Sequence, residues 1–76
     1  MSKRALRVSG KDVAAALRRN GWMNVHAKGG HAQFEHPERS GKVTIPAHGT
    51  TILLPKTLKS ILDQAGITED ELRELL

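Results

Sequence analysis

Apolar residues recur along the chain with two different periods, and the points where the period changes divide it into six elements. Between Ser9 and Gly21, Val13, Ala16 and Leu17 fall on one face of a helix with Ala14 beside them, while Lys11, Arg18 and Arg19 fall elsewhere. Ser9 is placed to cap that helix, Asp12 to complete a capping box, Val8 and Val13 to form the hydrophobic staple, and Gly21 to close the far end. The spacing predicts a first helix over residues 10–20.

From Trp22 the period becomes two. The runs 22–28 and 31–36 flank Gly29-Gly30, a pair that tolerates the positive φ of a type I′ or II′ turn. Pairing across that turn sets Lys28 opposite His31, Ala27 opposite Ala32, His26 opposite Gln33, Val25 opposite Phe34, Asn24 opposite Glu35 and Met23 opposite His36. One face then collects Met23, Val25, Ala27, Ala32 and Phe34, and the other Trp22, Asn24, His26, Lys28, His31, Gln33 and Glu35. Residues 37–41 have the composition of a turn, and Lys42-Val43-Thr44-Ile45-Pro46 alternates again as a third strand whose Val43 and Ile45 join the apolar face.

Residues 47–51, which include His48, read as an irregular polar segment. Pro55 at the first helical position opens a second helix carrying Leu58, Ile61, Leu62 and Ala65, and Gly66 ends it. Thr68 with Glu71 forms a second capping box and Ile67 with Leu72 a second staple, so a short helix with Leu72, Leu75 and Leu76 closes the sequence.

The elements predict an α+β domain of order α-β-β-β-α, with a three-stranded antiparallel sheet and a short C-terminal helix. Helices one and two supply the apolar stripes that cover one face of the sheet. The face bearing His31 is left open. This is the order of the double-stranded-RNA-binding domain, although order alone implies no function.

Length and composition narrow the field. Seventy-six residues suit one domain, with residues 1–7 as a flexible basic lead-in, and the absence of cysteine leaves stability to packing or a partner. No apolar run approaches the roughly 20 residues of a membrane span, and the basic N-terminus lacks the apolar stretch of a signal peptide, so a soluble, cytoplasmic protein without a membrane role is expected. The net charge of +4 is unevenly distributed: residues 1–62 hold 11 Lys/Arg against 3 Asp/Glu, and residues 63–76 hold one against five. The basic part is the candidate footprint for a polyanion. Lys28, Lys42, Lys56 and Lys59, with Arg39, are the candidate phosphate contacts.

His31 is the candidate for chemistry. An imidazole of ordinary pKa, near 6.5, can take a proton from a ribose 2′-hydroxyl or give one to a leaving 5′-oxygen at neutral pH. Lys28 alongside can stabilise charge developing on the phosphate, as can N–H groups of the glycine turn. With the 2′-hydroxyl as internal nucleophile the reaction needs neither a protein nucleophile nor a metal, and it leaves a 2′,3′-cyclic phosphate. A second acid or base would help, but His26, Glu35 and His48 are not distinguished for that role. The five-residue spacing of His26, His31 and His36 sets alternate members on opposite faces, and no cysteine or carboxylate cluster completes a metal site, so no metal or other cofactor is expected. Trp22 suits either stacking on a base or packing at the sheet edge.

Several separate motifs, read together, resemble the HicA family of toxins. They are Gly21-Trp22, Lys28-Gly29-Gly30-His31, Phe34, His36-Pro37, Val43-Thr44-Ile45-Pro46, His48, and Thr57-Leu58-Lys59-Ser60-Ile61-Leu62 followed by Ala65-Gly66. The resemblance spans roughly residues 9 to 67. It implies an mRNA interferase on a double-stranded-RNA-binding-like fold, neutralised by a HicB-type antitoxin. It also implies that His31, which occupies the position of the histidine in the family's Gly-Ser-His motif, is catalytic. Gly30 stands where the family usually has serine, so any hydroxyl contribution must come from elsewhere. Two alternatives stay open: a non-catalytic RNA-binding module, and a protein-interaction adaptor with no salt-sensitive affinity for RNA.

Overall fold

A computed structural model of the chain describes residues 6–46 and 51–76. Helix α1 spans Gly10–Arg19, strands β1, β2 and β3 span Met23–Lys28, His31–His36 and Arg39–Pro46, and helices α2 and α3 span Pro55–Ala65 and Glu69–Leu75. The strands form one antiparallel sheet in sequence order with β2 in the centre. Residues 1–5 of the lead-in and His48 lie outside the described residues. Leu6 is half-buried against the core.

Both capping boxes form. Asp12 N donates to Ser9 Oγ at 3.2 Å while Ser9 N donates to Asp12 Oδ2 at 3.1 Å. Thr68 and Glu71 repeat the arrangement at α3, at 2.9 and 3.1 Å. These bonds satisfy N–H groups that a helix start otherwise leaves without partners.

The two longer helices also end alike. Trp22 N donates to Leu17 O and Gly21 N to Arg18 O, at 3.0 and 3.1 Å; Ile67 N donates to Leu62 O and Gly66 N to Asp63 O, at 3.2 and 3.3 Å. These are Schellman closures, in which the residue after the glycine turns back onto the helix. The turned-back residues, Trp22 and Ile67, are both buried. Gly21 adopts φ +93°, and a Cβ there would lie 2.8 Å from His36 Nε2, so both backbone and space require glycine.

The hairpin departs from strict alternation at one point. From the turn outward the pairs are Lys28 with His31, Ala27 with Ala32 and His26 with Gln33, as the sequence suggests; beyond them Asn24 pairs with Phe34 and Met23 with Glu35, leaving Val25 as the extra residue of a β-bulge. The bulge inverts the phase of the strand start. Met23 and Val25 are exposed rather than buried, and Trp22 enters the core at 2% exposure instead of standing on the open face or the sheet edge. The cause is parity. Trp22 and Ala27 are five residues apart, and an unbulged strand cannot put both on one side. Ala27 shares the core-side face with Ala32 but is itself exposed.

The third strand is also longer than its alternation indicates. It begins at Arg39, with only Pro37-Glu38 as the turn, and an irregularity between Phe34 and His36 absorbs the mismatch.

The core gathers Val13, Ala16 and Leu17 of α1, Ala32 and Phe34 of β2, Val43 and Ile45 of β3, and Leu58, Ile61 and Ala65 of α2 around Trp22. Helix α3 packs on α1 through the fully buried Leu72, and Arg19 Nη1 donates to Leu75 O at 2.7 Å. Ahead of α1 and α2, Leu53 N donates to Val8 O at 2.8 Å, tying the two entry segments together. Trp22→Ala is expected to cost about 3–5 kcal/mol, as for other fully buried aromatics, read as a loss of denaturant midpoint with the transition still cooperative.

Candidate nucleic-acid interface

Because α1 and α2 cover one face of the sheet, the other presents its side chains in rows set by the strand pairing. At the tip lie Lys28, His31 and Pro46; next come His26, Gln33 and Thr44; beyond them stand Met23 and Glu35, with Lys42 Nζ 3.7 Å from Glu35 Oε2. Sequence reasoning missed Thr44 and Pro46 as members of this face. Their signal was present in the inward alternation of Val43 and Ile45.

His31 is exposed at the start of β2, immediately after the glycine turn. Gly29 and Gly30 have φ +60° and +79°, the two positive values of a type I′ turn. A side chain at Gly30 is strained at that φ, so the serine usual in the resembling toxins does not suit this turn. His31 Nδ1 lies 3.3 Å from Gly29 O. A carbonyl only accepts, so this contact requires a hydrogen on Nδ1. Lys28 stands directly opposite across the ladder, on the same face of the sheet.

The remaining candidate cations do not all converge on the tip. Arg39 pairs with His36 at the opposite end of the sheet, about 16 Å along the strand from His31 at the usual rise. Its Nη1 donates to Ala65 O at 3.0 Å and approaches Gly66 O at 3.5 Å, so the guanidinium caps the C-terminus of α2. Thr44 N donates to Gln64 Oε1 at 3.0 Å, which ties the C-terminal part of α2 to the edge of β3. Lys56 falls on the same helical stripe as Ser60 and Gln64, at i−4 steps, and is exposed. Lys59, one turn further along α2, borders a hollow of about 470 Å³ with Leu6, Leu58, Leu62 and Ile67. That hollow is separate from His31, and a polymer lying on an open sheet does not require it.

His36 has a different role from His31. Its Nε2 donates to Asn20 O at 3.1 Å, its Nδ1 accepts from Glu38 N at 3.0 Å, and its ring meets Trp22 edge-on at 5.2 Å. Both nitrogens are engaged in holding the end of β2 to the end of α1. Among the described residues no three His, Cys, Asp or Glu side chains come together to hold a metal ion, and no helix is long and apolar enough to cross a membrane.

The family model described as the HicA toxin of bacterial toxin-antitoxin systems matches residues 10–67. The chain belongs to the HicA toxin family. It is thus a toxin-type component of a toxin–antitoxin pair, and a partner antitoxin follows from that membership. The matched span runs from the start of α1 through the closure of α2, so it contains the sheet and the His31 tip. Helix α3 lies beyond it. No curated protein matches the chain.

The two histidines separate by stability. His36→Ala is expected to lower it by roughly 1–3 kcal/mol through the backbone groups it leaves without partners, whereas His31→Ala at the exposed tip should shift it by less than about 0.5 kcal/mol. Thermal unfolding of the two variants beside the wild type checks both.

Proposed function

We propose that this HicA toxin is a metal-independent endoribonuclease, an mRNA interferase, in which His31 is the catalytic base. The observation that carries the proposal is the exposed imidazole at the hairpin tip, with Nδ1 held towards Gly29 O and Lys28 across the ladder. In this reading His31 Nε2 takes the proton of a ribose 2′-hydroxyl, and the 2′-oxygen attacks the adjacent phosphorus. The bond to the 5′-oxygen breaks, and that oxygen leaves with a proton returned by the imidazolium. The products are a 2′,3′-cyclic phosphate and a 5′-hydroxyl. Lys28 stabilises the negative charge that builds on the non-bridging oxygens.

Lys28 at the tip, with Lys56 and Lys59 on α2, supplies the sequence-independent attraction to the phosphate backbone, and Lys42 contributes less because its ammonium is paired with Glu35. Arg39 contributes less in this reading, because its guanidinium is engaged at the end of α2. A HicB-type antitoxin acts by covering the open face and with it His31, in the cytoplasm where the message is found.

Expression of the wild type without antitoxin is expected to arrest growth and fragment a reporter mRNA, whereas His31→Ala, folded to the same extent, does neither. In vitro its cleavage should fall about 10²- to 10⁴-fold, the usual worth of a positioned acid–base group. If both proteins bind RNA and neither cuts it, the chain is a binding module without catalysis. If His31→Ala still cuts, the chemistry belongs to another residue.

RNA affinity is expected to weaken with salt, and Lys28→Ala should flatten that dependence by about 0.7 in the slope of log K against log salt, one phosphate contact for a single strand. Fluorescence anisotropy with a labelled oligonucleotide across a salt series reads this directly.

A further inference from the structure

The open face is chemically graded, and the proposed cleavage uses only its first row. That tip row pairs Lys28 with His31 and suits a phosphate. The third is charged but self-paired, with Lys42 Nζ 3.7 Å from Glu35 Oε2, and the Glu35 carboxylate disfavours a second phosphate there. Between them runs a row of three polar side chains without a fixed charge: Gln33 in the centre, His26 opposite it on β1 and Thr44 opposite it on β3.

Gln33 is half-exposed, and its amide makes no hydrogen bond to any described residue, while the nearby Gln64 is held by Thr44 N and Ser60 Oγ. It stands on the central strand two residues from His31, about 7 Å away along the strand. A planar amide offers donors and an acceptor together, which is what the edge of an unstacked nucleobase requires.

We propose that Gln33 is a specificity-determining residue that reads the base edge of a nucleotide adjacent to the scissile phosphate, with His26 and Thr44 flanking that base. This rests on the endoribonuclease reading, since the tip row must hold the phosphate for the next row to meet a base. Phosphate contacts set register and affinity, and base-edge contacts set sequence choice. The two rows divide these tasks.

The test uses the full chain, as wild type and as Gln33→Ala, Gln33→Glu and Lys28→Ala, on a pool of short RNAs randomised around one cleavable linkage. Binding to the four oligonucleotides that differ at the position next to that linkage is measured in a His31→Ala background. The wild type is expected to prefer one base there. Gln33→Ala should flatten the preference by roughly 5- to 100-fold while the rate on the least favoured sequences changes little, the size expected of a bidentate amide–base contact. Gln33→Glu, which keeps the shape and removes the donors, should redirect the preference rather than lower all rates together. Lys28→Ala should slow every sequence alike.

A wild type that cuts RNA with no preference at the neighbouring base, or a Gln33→Ala protein that keeps the wild-type preference, overturns the role of Gln33 and leaves the endoribonuclease standing. RNA bound with a base preference that Gln33→Ala removes, but not cut, overturns the catalytic reading and with it the placement of Gln33 beside a scissile phosphate. A folded wild type that neither binds nor cuts RNA overturns both.

Discussion

Trp22 is turned into the core before the first strand begins, and much of the architecture follows from that. The closure of α1 sends the Trp22 N–H back to Leu17 O, so the indole packs at the end of the helix it follows. Strand β1 must then leave the core side at Trp22 and present Ala27 on that same side five residues later. The bulge at Val25 reconciles the two. It does so without disturbing the turn end of the hairpin, where Gly29-Gly30 keeps Lys28 opposite His31. His36 completes the arrangement by bridging Asn20 O and Glu38 N over Gly21.

The chain's histidines and cations thus divide between holding the fold and meeting a ligand. His36 has both nitrogens in backbone hydrogen bonds and an aromatic neighbour, the environment of a structural imidazole. His31 stands on two glycines at the exposed end of the sheet, with Nδ1 towards a carbonyl. Arg39 serves the carbonyls at the end of α2, while Lys28 stands opposite His31 at the far end of the sheet. Formal charge counts all of these alike. Only their positions distinguish attraction for a polyanion from repair of a helix end.

The features read correctly from sequence were those governed by local chemistry. Ser9 with Asp12 and Thr68 with Glu71 mark helix starts, Gly21 and Gly66 mark ends, and Gly29-Gly30 marks a hairpin, because each satisfies a geometric demand within a few residues. The open face carrying Lys28, His31 and Gln33 followed from alternation near that turn. What was not legible depended on contacts distant in sequence. Whether Trp22 lies in or out is decided by α1 and His36 together, so the bulge and the exposure of Met23 and Val25 had no local signature. The early start of β3 at Arg39 has the same origin, since Ser40-Gly41 has the composition of a turn yet lies within β3, whose Arg39 pairs with His36 of β2. Arg39 as a cap needed the position of α2.

The central claim is that this HicA toxin cuts RNA through the ribose 2′-hydroxyl at His31. The most direct measurement takes a short RNA with a mapped cleavage site beside the same RNA carrying a single 2′-deoxy sugar at that linkage, with mass spectrometry of the fragment ends. The account expects a 2′,3′-cyclic phosphate from the all-ribose substrate and no cleavage at the deoxy linkage. Cleavage at the deoxy linkage, with a linear phosphate on either fragment, would mean that water or a protein group is the nucleophile and would contradict the account.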